Sequence, residues 1–139
     1  MYLDNIIMKL NKHFTDGVKT NIPVTEEEII NVESKLGCCL PEELKSILKF
    51  SNGIEELMKN PKTQELMCMS YIIYSIDMIS SQTIFYRDTY GMKNCIVLSD
   101  DGAGNPFIYN IVYDNVYIYY SIDDEVEKYS ESIEEYLYL

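Results

Sequence analysis

Residues 22–53 constrain the fold of this chain more than any other segment, because they carry start and stop signals for two helices in series. Thr25 is placed to cap the first helix, and Glu28 can reach back to it in a reciprocal capping box. Gly37 supplies a left-handed residue that ends this helix, and Pro41 opens the second at its first position. Apolar residues recur at helical spacing in both helices: Ile29, Val32 and Leu36, then Leu44, Ile47 and Leu48.

The segments around this helix pair carry helix, loop and strand patterns. Residues 2–14 have the apolar spacing of an amphipathic helix, and residues 15–23 predict a connector. Residues 53–63 are polar and predict a loop. Apolar residues occupy both sets of alternating positions in residues 65–76, which predicts a strand buried on much of both faces. A serine-capped helix is then expected over residues 76–90.

The last third of the chain predicts a β-meander closed by a helix. Short apolar runs at residues 95–98, 106–112 and 116–120 are separated by turn-forming residues. Residues 123–127 predict an acidic connector, and a second capping box at residues 132–135 opens a short helix. The order indicates an α+β fold. We therefore expect a single domain over the whole chain of 139 residues, mostly an antiparallel sheet flanked by N-terminal helices and a short C-terminal helix.

The negative charge of the chain is concentrated in its last third. The formal net charge is -12, and residues 94–139 contain ten acidic residues against one basic residue, Lys128. Such a field repels nucleic-acid phosphates and anionic lipid, and it favours a basic protein partner. We therefore expect binding to a protein, with no nucleic acid and no membrane surface as partner.

The cysteines and the lone histidine predict neither a metal cluster nor a cofactor. Cys38 and Cys39 are adjacent, Cys68 and Cys95 stand apart, and no Cys-x-x-Cys pair exists. Four unpaired cysteines suit a reducing compartment. No apolar run approaches the roughly 20 residues needed to span a bilayer, and the first residues lack the basic region and cleavage site of a signal peptide. A cytoplasmic location is expected.

No group of residues predicts catalysis, so we do not expect an enzyme. His13 follows Lys12 on the amphipathic opening helix, where solvent exposure is the ordinary outcome for a lone histidine. The acid pairs Asp100-Asp101 and Asp123-Asp124 lie in turns, where such residues are typical turn formers. Asp100-Asp101-Gly102 lacks the spacing of a calcium loop, and no Glu follows at the right distance. Gly102 and its neighbours lack the Gly-Lys-Ser/Thr of a phosphate loop.

Several short motifs occur in an order that resembles the SUKH superfamily of Smi/Knr-like domains. They span about residues 20–139: Glu33 with Leu36-Gly37, Leu40-Pro41, Phe50-Ser51-Asn52-Gly53, Asp101 to Asn105, Val116 to Tyr120, and Ser132 to Leu137. The chain departs from many relatives in having no tryptophan, and no histidine near the last predicted strand, where Ser121-Ile122-Asp123 stands. The resemblance implies an antiparallel sheet flanked by helices. It also implies a binding role, because bacterial members act largely as immunity proteins against toxins, often nucleases, and a fungal branch acts as a regulatory scaffold.

The resemblance and the charge together suggest an immunity-type protein, expected to be a monomer, that occludes the active site of a basic toxin domain with an acidic surface. The alternative is a regulatory scaffold that binds an endogenous protein or peptide. Tyrosine suits interface anchors and sheet packing equally well, and both roles stay open for the rings of the meander. The candidate contact residues are the rim acids Asp100, Asp101, Asp114, Asp123, Asp124 and Glu125, with Tyr117 and Tyr119 as anchors.

Overall fold

Five helices and two antiparallel sheets make up the part of the chain, residues 2–138, that the computed structural model describes. The first half contains α1 (Tyr2–His13), β1 (Val18–Thr20), α2 (Glu26–Leu36), α3 (Glu42–Phe50), β2 (Ile54–Lys59) and β3 (Leu66–Ile73). The second half contains α4 (Ile76–Tyr90), β4 (Cys95–Asp100), β5 (Pro106–Asn110), β6 (Asn115–Tyr120), β7 (Glu125–Ser130) and α5 (Ile133–Leu137). The predicted single α+β domain with helices at the N-terminus and a short C-terminal helix is confirmed.

The first predicted capping box is formed. The Glu28 N–H donates to Thr25 Oγ1 at 3.2 Å, and the Thr25 N–H donates to Glu28 Oε1 at 3.1 Å. Gly37 ends α2 with a φ of 68°. Pro41 stands one position earlier than predicted, at the N-cap of α3 and not inside its first turn.

The second capping box is formed only in part. Ser132 caps α5 by accepting from the Glu135 N–H at 3.0 Å. In a complete capping box, the Glu135 carboxylate would accept from the Ser132 N–H. Here it accepts instead from the N–H of Glu131, the residue before the cap, at 3.4 Å.

Three strands lie where the sequence predicted no regular structure. β1 falls inside the expected connector 15–23, β2 inside the expected loop 53–63, and β7 overlaps the expected acidic connector 123–127. β1 and β7 are largely exposed, and β2 mixes charged and apolar residues without regular alternation, so none of the three shows the apolar alternation by which a half-buried strand is recognised. They are strands because their backbones pair with neighbours. One sheet has the strand order β1-β2-β3, and the other has the order β4-β5-β6-β7.

The prediction that the strand over 65–76 is buried on both faces was wrong for most of its length. The first four residues of β3 are exposed, and only Ile72 and Ile73 at its end are buried. That end reaches β4, because the Tyr74 N–H donates to the Leu98 carbonyl at 2.8 Å. The Ser99 hydroxyl also donates to the Tyr71 carbonyl at 2.5 Å. The rest of the β2–β3 hairpin extends past the core, which is why its apolar residues stay exposed.

β4 is the most deeply buried strand, and α4 covers it. Cys95 to Ser99 are all buried, and the Val97 N–H donates to Thr83 Oγ1 of α4 at 2.9 Å. Arg87 of α4 donates from Nη1 to the Leu36 carbonyl at 2.6 Å and from Nη2 to the Cys95 carbonyl at 3.1 Å. This side chain therefore joins the end of α2 to the start of β4.

The Phe50-to-Gly53 motif connects three elements. The buried Ser51 Oγ accepts from the Asn21 N–H at 2.8 Å and donates to the Gly53 carbonyl at 2.5 Å. Asn52 Oδ1 accepts from the Ile76 N–H at 2.8 Å, at the start of α4. Gly53 has a φ of 82°, and a Cβ there would lie 2.8 Å from the Ser75 nitrogen. The motif is therefore a structural junction.

Candidate partner-binding surface

The β4–β7 meander gathers five of the six predicted rim acids at one end. Each hairpin reverses the chain, so the β4–β5 and β6–β7 turns share one end of the sheet and the β5–β6 turn lies at the other. The Ser121 N–H donates to Asn105 Oδ1 at 3.3 Å and joins the two turns of the shared end. We call the group at this end the acidic end: Asp100, Asp101, Asp123, Asp124 and Glu125.

Asp114 lies apart from this group. It is in the β5–β6 turn, and the six residues of β6 separate that turn from the acidic end by about 17 Å. Its carboxylate accepts a short hydrogen bond from the Tyr109 hydroxyl. The structure therefore does not bring Asp114 together with the other predicted acids.

Hydrogen bonds hold the β4–β5 turn in one geometry. The Asp101 carboxylate accepts from the Ala103 N–H at 2.8 Å, the Asn105 N–H at 3.1 Å and Asn105 Nδ2 at 2.9 Å. Partial burial works to raise the pKa of Asp101, but these hydrogen bonds outweigh it and leave the pKa below its ordinary value. Asp100 accepts from the Gly102 N–H at 2.7 Å and from the Tyr74 hydroxyl. Hydrogen bonds therefore fix both carboxylates in place.

Tyr119, predicted as an anchor, is placed inside the protein. Its side chain is only 3% exposed, and its ring lies edge-on to the rings of Tyr86 and Tyr90 of α4, at centroid distances of 6.4 and 5.6 Å. Its hydroxyl donates to Asp124 Oδ1 at 2.7 Å, and this hydrogen bond, together with desolvation, raises the pKa of Tyr119 to about 12. The ring thus orients Asp124 in its turn and is not open to a partner.

Tyr117 lies on the same strand but faces a different part of the surface. It is half-buried, and burial raises its pKa to about 12. Its ring lines a shallow depression with Tyr113, Asn115, Val126 and Lys128, towards the β5–β6 turn. Tyr117 is therefore open to solvent in part, but away from the acidic end.

A groove between β3 and β4 adds residues that the sequence did not suggest. Carboxylates of Glu56, Asp100 and Asp101 line it, together with aromatic rings of Phe14, Tyr71 and Tyr136. We call it the acidic groove. Glu56 Oε1 accepts from the Ser70 hydroxyl at 3.0 Å, which fixes Glu56 against β3. Glu56 was missed because β2 was predicted as a loop, and only the pairing of β2 with β3 brings it here.

Acidic and aromatic residues line the acidic groove, and none of the described residues lining it is basic. Carboxylates beside aromatic faces suit a lysine or arginine side chain. Within residues 2–138, no cluster of three or more His, Cys, Asp or Glu side chains is arranged to hold a metal ion. His13 is exposed near the end of α1, with its ring 4.9 Å from that of Phe14.

Helices packed on two antiparallel sheets, with an open acidic end and groove, define an acidic α+β domain. Residues 23–139 match the model of the SMI1 / KNR4 family (SUKH-1), and the chain belongs to that family. The family is known for immunity-type proteins, and its domains are generally immunity or regulatory domains and not enzymes. No curated protein matches the chain significantly. No helix found among residues 2–138 is both long enough and apolar enough to cross a membrane.

Proposed function

We propose that this chain is a cytoplasmic immunity protein that binds a nuclease toxin domain as a monomer and occludes its active site. The observation that carries the proposal is the gathering of five rim acids at one end of the meander, beside a groove to which Glu56 adds a further carboxylate. A nuclease site must attract phosphate and is therefore basic. A surface with fixed carboxylates presents that site with a charge pattern like that of its substrate.

The carboxylates of this surface divide into two roles. Those of Asp100, Asp101 and Asp124 are already held by hydrogen bonds, so little conformational entropy is lost when they meet a partner. Asp123 and Glu125 are exposed and act mainly on the encounter rate. Electrostatic steering of this kind raises association rates by about 10- to 1,000-fold and weakens with salt. The proposal leaves Asp114 and Tyr119 outside the contact, because one is at the far end and the other is buried.

The test is binding to the C-terminal domain of the protein encoded immediately upstream, measured by stopped flow at increasing ionic strength. The variant Asp123→Lys/Glu125→Lys should lower the association rate at low salt by about tenfold or more, and the difference should shrink as salt rises. The matched control is Glu27→Lys/Asp88→Lys, which makes the same charge change at exposed positions on α2 and α4. An association rate insensitive to salt, or equally slowed by the control, would contradict electrostatic occlusion.

The same experiment separates the immunity role from the alternative. Protection of cells, or inhibition of nuclease activity, by stoichiometric amounts of this chain is the result expected of an immunity protein. A partner without toxic activity would contradict that role and support a regulatory scaffold that binds an endogenous protein or peptide.

A further inference from the structure

Four apolar side chains project from the β2–β3 hairpin without joining the core. Met58 is 38% exposed, Leu66 55%, Met67 47% and Met69 60%. We call this group the Met arm. The buried core includes Ile54 at the start of the hairpin and Ile72 and Ile73 at its end, but no residue between them. The Met arm therefore contributes little to folding.

The methionines of the Met arm adjoin the acidic groove, whereas Leu66 pairs with Lys59 and lies on the opposite face of the hairpin, because successive side chains of a strand alternate. Met58 of β2 pairs directly opposite Met67 of β3, and Glu56, two residues before Met58, lines the groove. On β3, Ser70 and Tyr71 follow Met69 directly and line the same groove. The methionines of the arm are thus continuous with the carboxylates of Glu56, Asp100 and Asp101.

β3 lacks most of the features that usually keep an exposed strand from associating with another chain. Charged residues, proline and bulges usually keep such strands from associating. Leu66 to Ile73 include no charge and no proline, although the register with β2 does skip Met69 and Ile72. Clustered exposed apolar side chains at the border of a charged surface are typical of protein interfaces, in which methionine is enriched. Methionine also adapts its shape to a partner.

We infer that the Met arm is the apolar anchor by which this chain binds the basic domain that its acidic end attracts. The inference rests on the proposed function. Charge complementarity favours such a partner over a second copy, since two chains of net charge -12 repel each other. The carboxylates supply steering and orientation, and the desolvation of the arm supplies the free energy that slows dissociation.

Adding negative charge to the Met arm distinguishes an apolar anchor from a purely electrostatic contact. In Met67→Glu/Met69→Glu, added negative charge would strengthen binding to a basic partner if the arm were only a neighbour of the contact. An apolar anchor predicts the reverse: the Kd for the upstream toxin domain rises by about tenfold or more, mainly through faster dissociation. The control Met8→Glu/Ile30→Glu alters side chains of similar exposure, 57% and 56%, on α1 and α2, and should change the Kd by no more than about twofold.

A second measurement uses the unmodified chain, so it does not depend on the folding of a variant. With methyl-labelled methionine, the NMR signals of Met58, Met67 and Met69 should shift on addition of the toxin domain, while that of Met8 should not.

Failure of the wild-type chain to bind would overturn both the proposed function and this inference. Wild-type binding with unmoved arm signals and an unchanged Kd for the double variant would overturn only the anchor. Concentration-dependent shifts of the same signals in the free chain, with a dimer mass, would show that a second copy covers the arm, which also overturns it.

Discussion

At the scale of single residues, the same type of tyrosine–aspartate hydrogen bond occurs twice in the meander. The Tyr109 hydroxyl donates to Asp114 and the Tyr119 hydroxyl donates to Asp124, and in each pair the partners are five positions apart, across a hairpin turn. Both aspartates have positive φ, 54° and 53°, which aspartate tolerates better than most residues. The second pair explains why Tyr119, which was predicted as a partner anchor, acts within the protein. A ring that packs on the sheet brings its hydroxyl to the turn, where the carboxylate needs a donor.

Removal of one such hydroxyl should destabilise the fold. Tyr109→Phe keeps the buried ring but leaves Asp114 without its donor, so we expect the free energy of unfolding to fall by about 1 kcal/mol in urea titrations. The control Tyr120→Phe removes an exposed hydrogen bond of 3.3 Å to Glu127 and should cost clearly less. Equal losses in the two variants would mean that the turn hydrogen bond has no special role.

At the scale of elements, the junction of α3, β2 and α4 depends on how closely backbones approach at Gly53. A Cβ at this position would meet the Ser75 nitrogen and the Ile73 carbonyl oxygen at 2.8 and 3.0 Å. Backbone atoms inside a packed junction have little room to shift, so only glycine fits. The Phe50-to-Gly53 motif is thus explained by packing, and it belongs to the scaffold of the fold.

Substitutions at Gly53 and Gly37, which have similar φ, distinguish the cost of backbone strain from the cost of a close contact. Gly53→Ala should lower the free energy of unfolding by about 2 kcal/mol or more, because strain and a close contact add. Gly37→Ala, at a φ of 68° with no atom within 4 Å of the added Cβ, should cost about 1 kcal/mol from strain alone. Chemical denaturation of both variants is the measurement. A cost for Gly53→Ala no larger than for Gly37→Ala would contradict the close approach.

At the scale of the whole molecule, stability at high pH depends on buried phenols. Burial raises the pKa of Tyr136 and, to about 12, that of Tyr117. Because the folded state keeps these protons after the unfolded chain loses them near pH 10, this stability is complete below about pH 10. It is then lost as pH rises towards 12. Urea unfolding at steps from about pH 9 to about pH 12 should show a steady fall, and the loss should be smaller in Tyr117→Phe. A flat profile would contradict the raised pKa values.

The sequence by itself determined the local parts of this protein. Helix starts at Thr25, Ser75 and Ser132 were predicted correctly because a cap depends on residues within one turn of each other. The α+β class and the family followed from patterns of the same short range, confirmed by the fold and by the match over residues 23–139.

Tertiary structure decided which of these parts meet. Strands such as β2 and β7 exist because neighbours pair with them, and no local pattern encodes a neighbour that is distant in the chain. The same pairing separates Asp114 from the acidic end, brings Glu56 into the groove, buries Tyr119 and exposes the methionines of β3. Hydrophobicity predicts that a residue can be buried, but only the packed arrangement of sheets and helices has space for some of these side chains and leaves others at the surface.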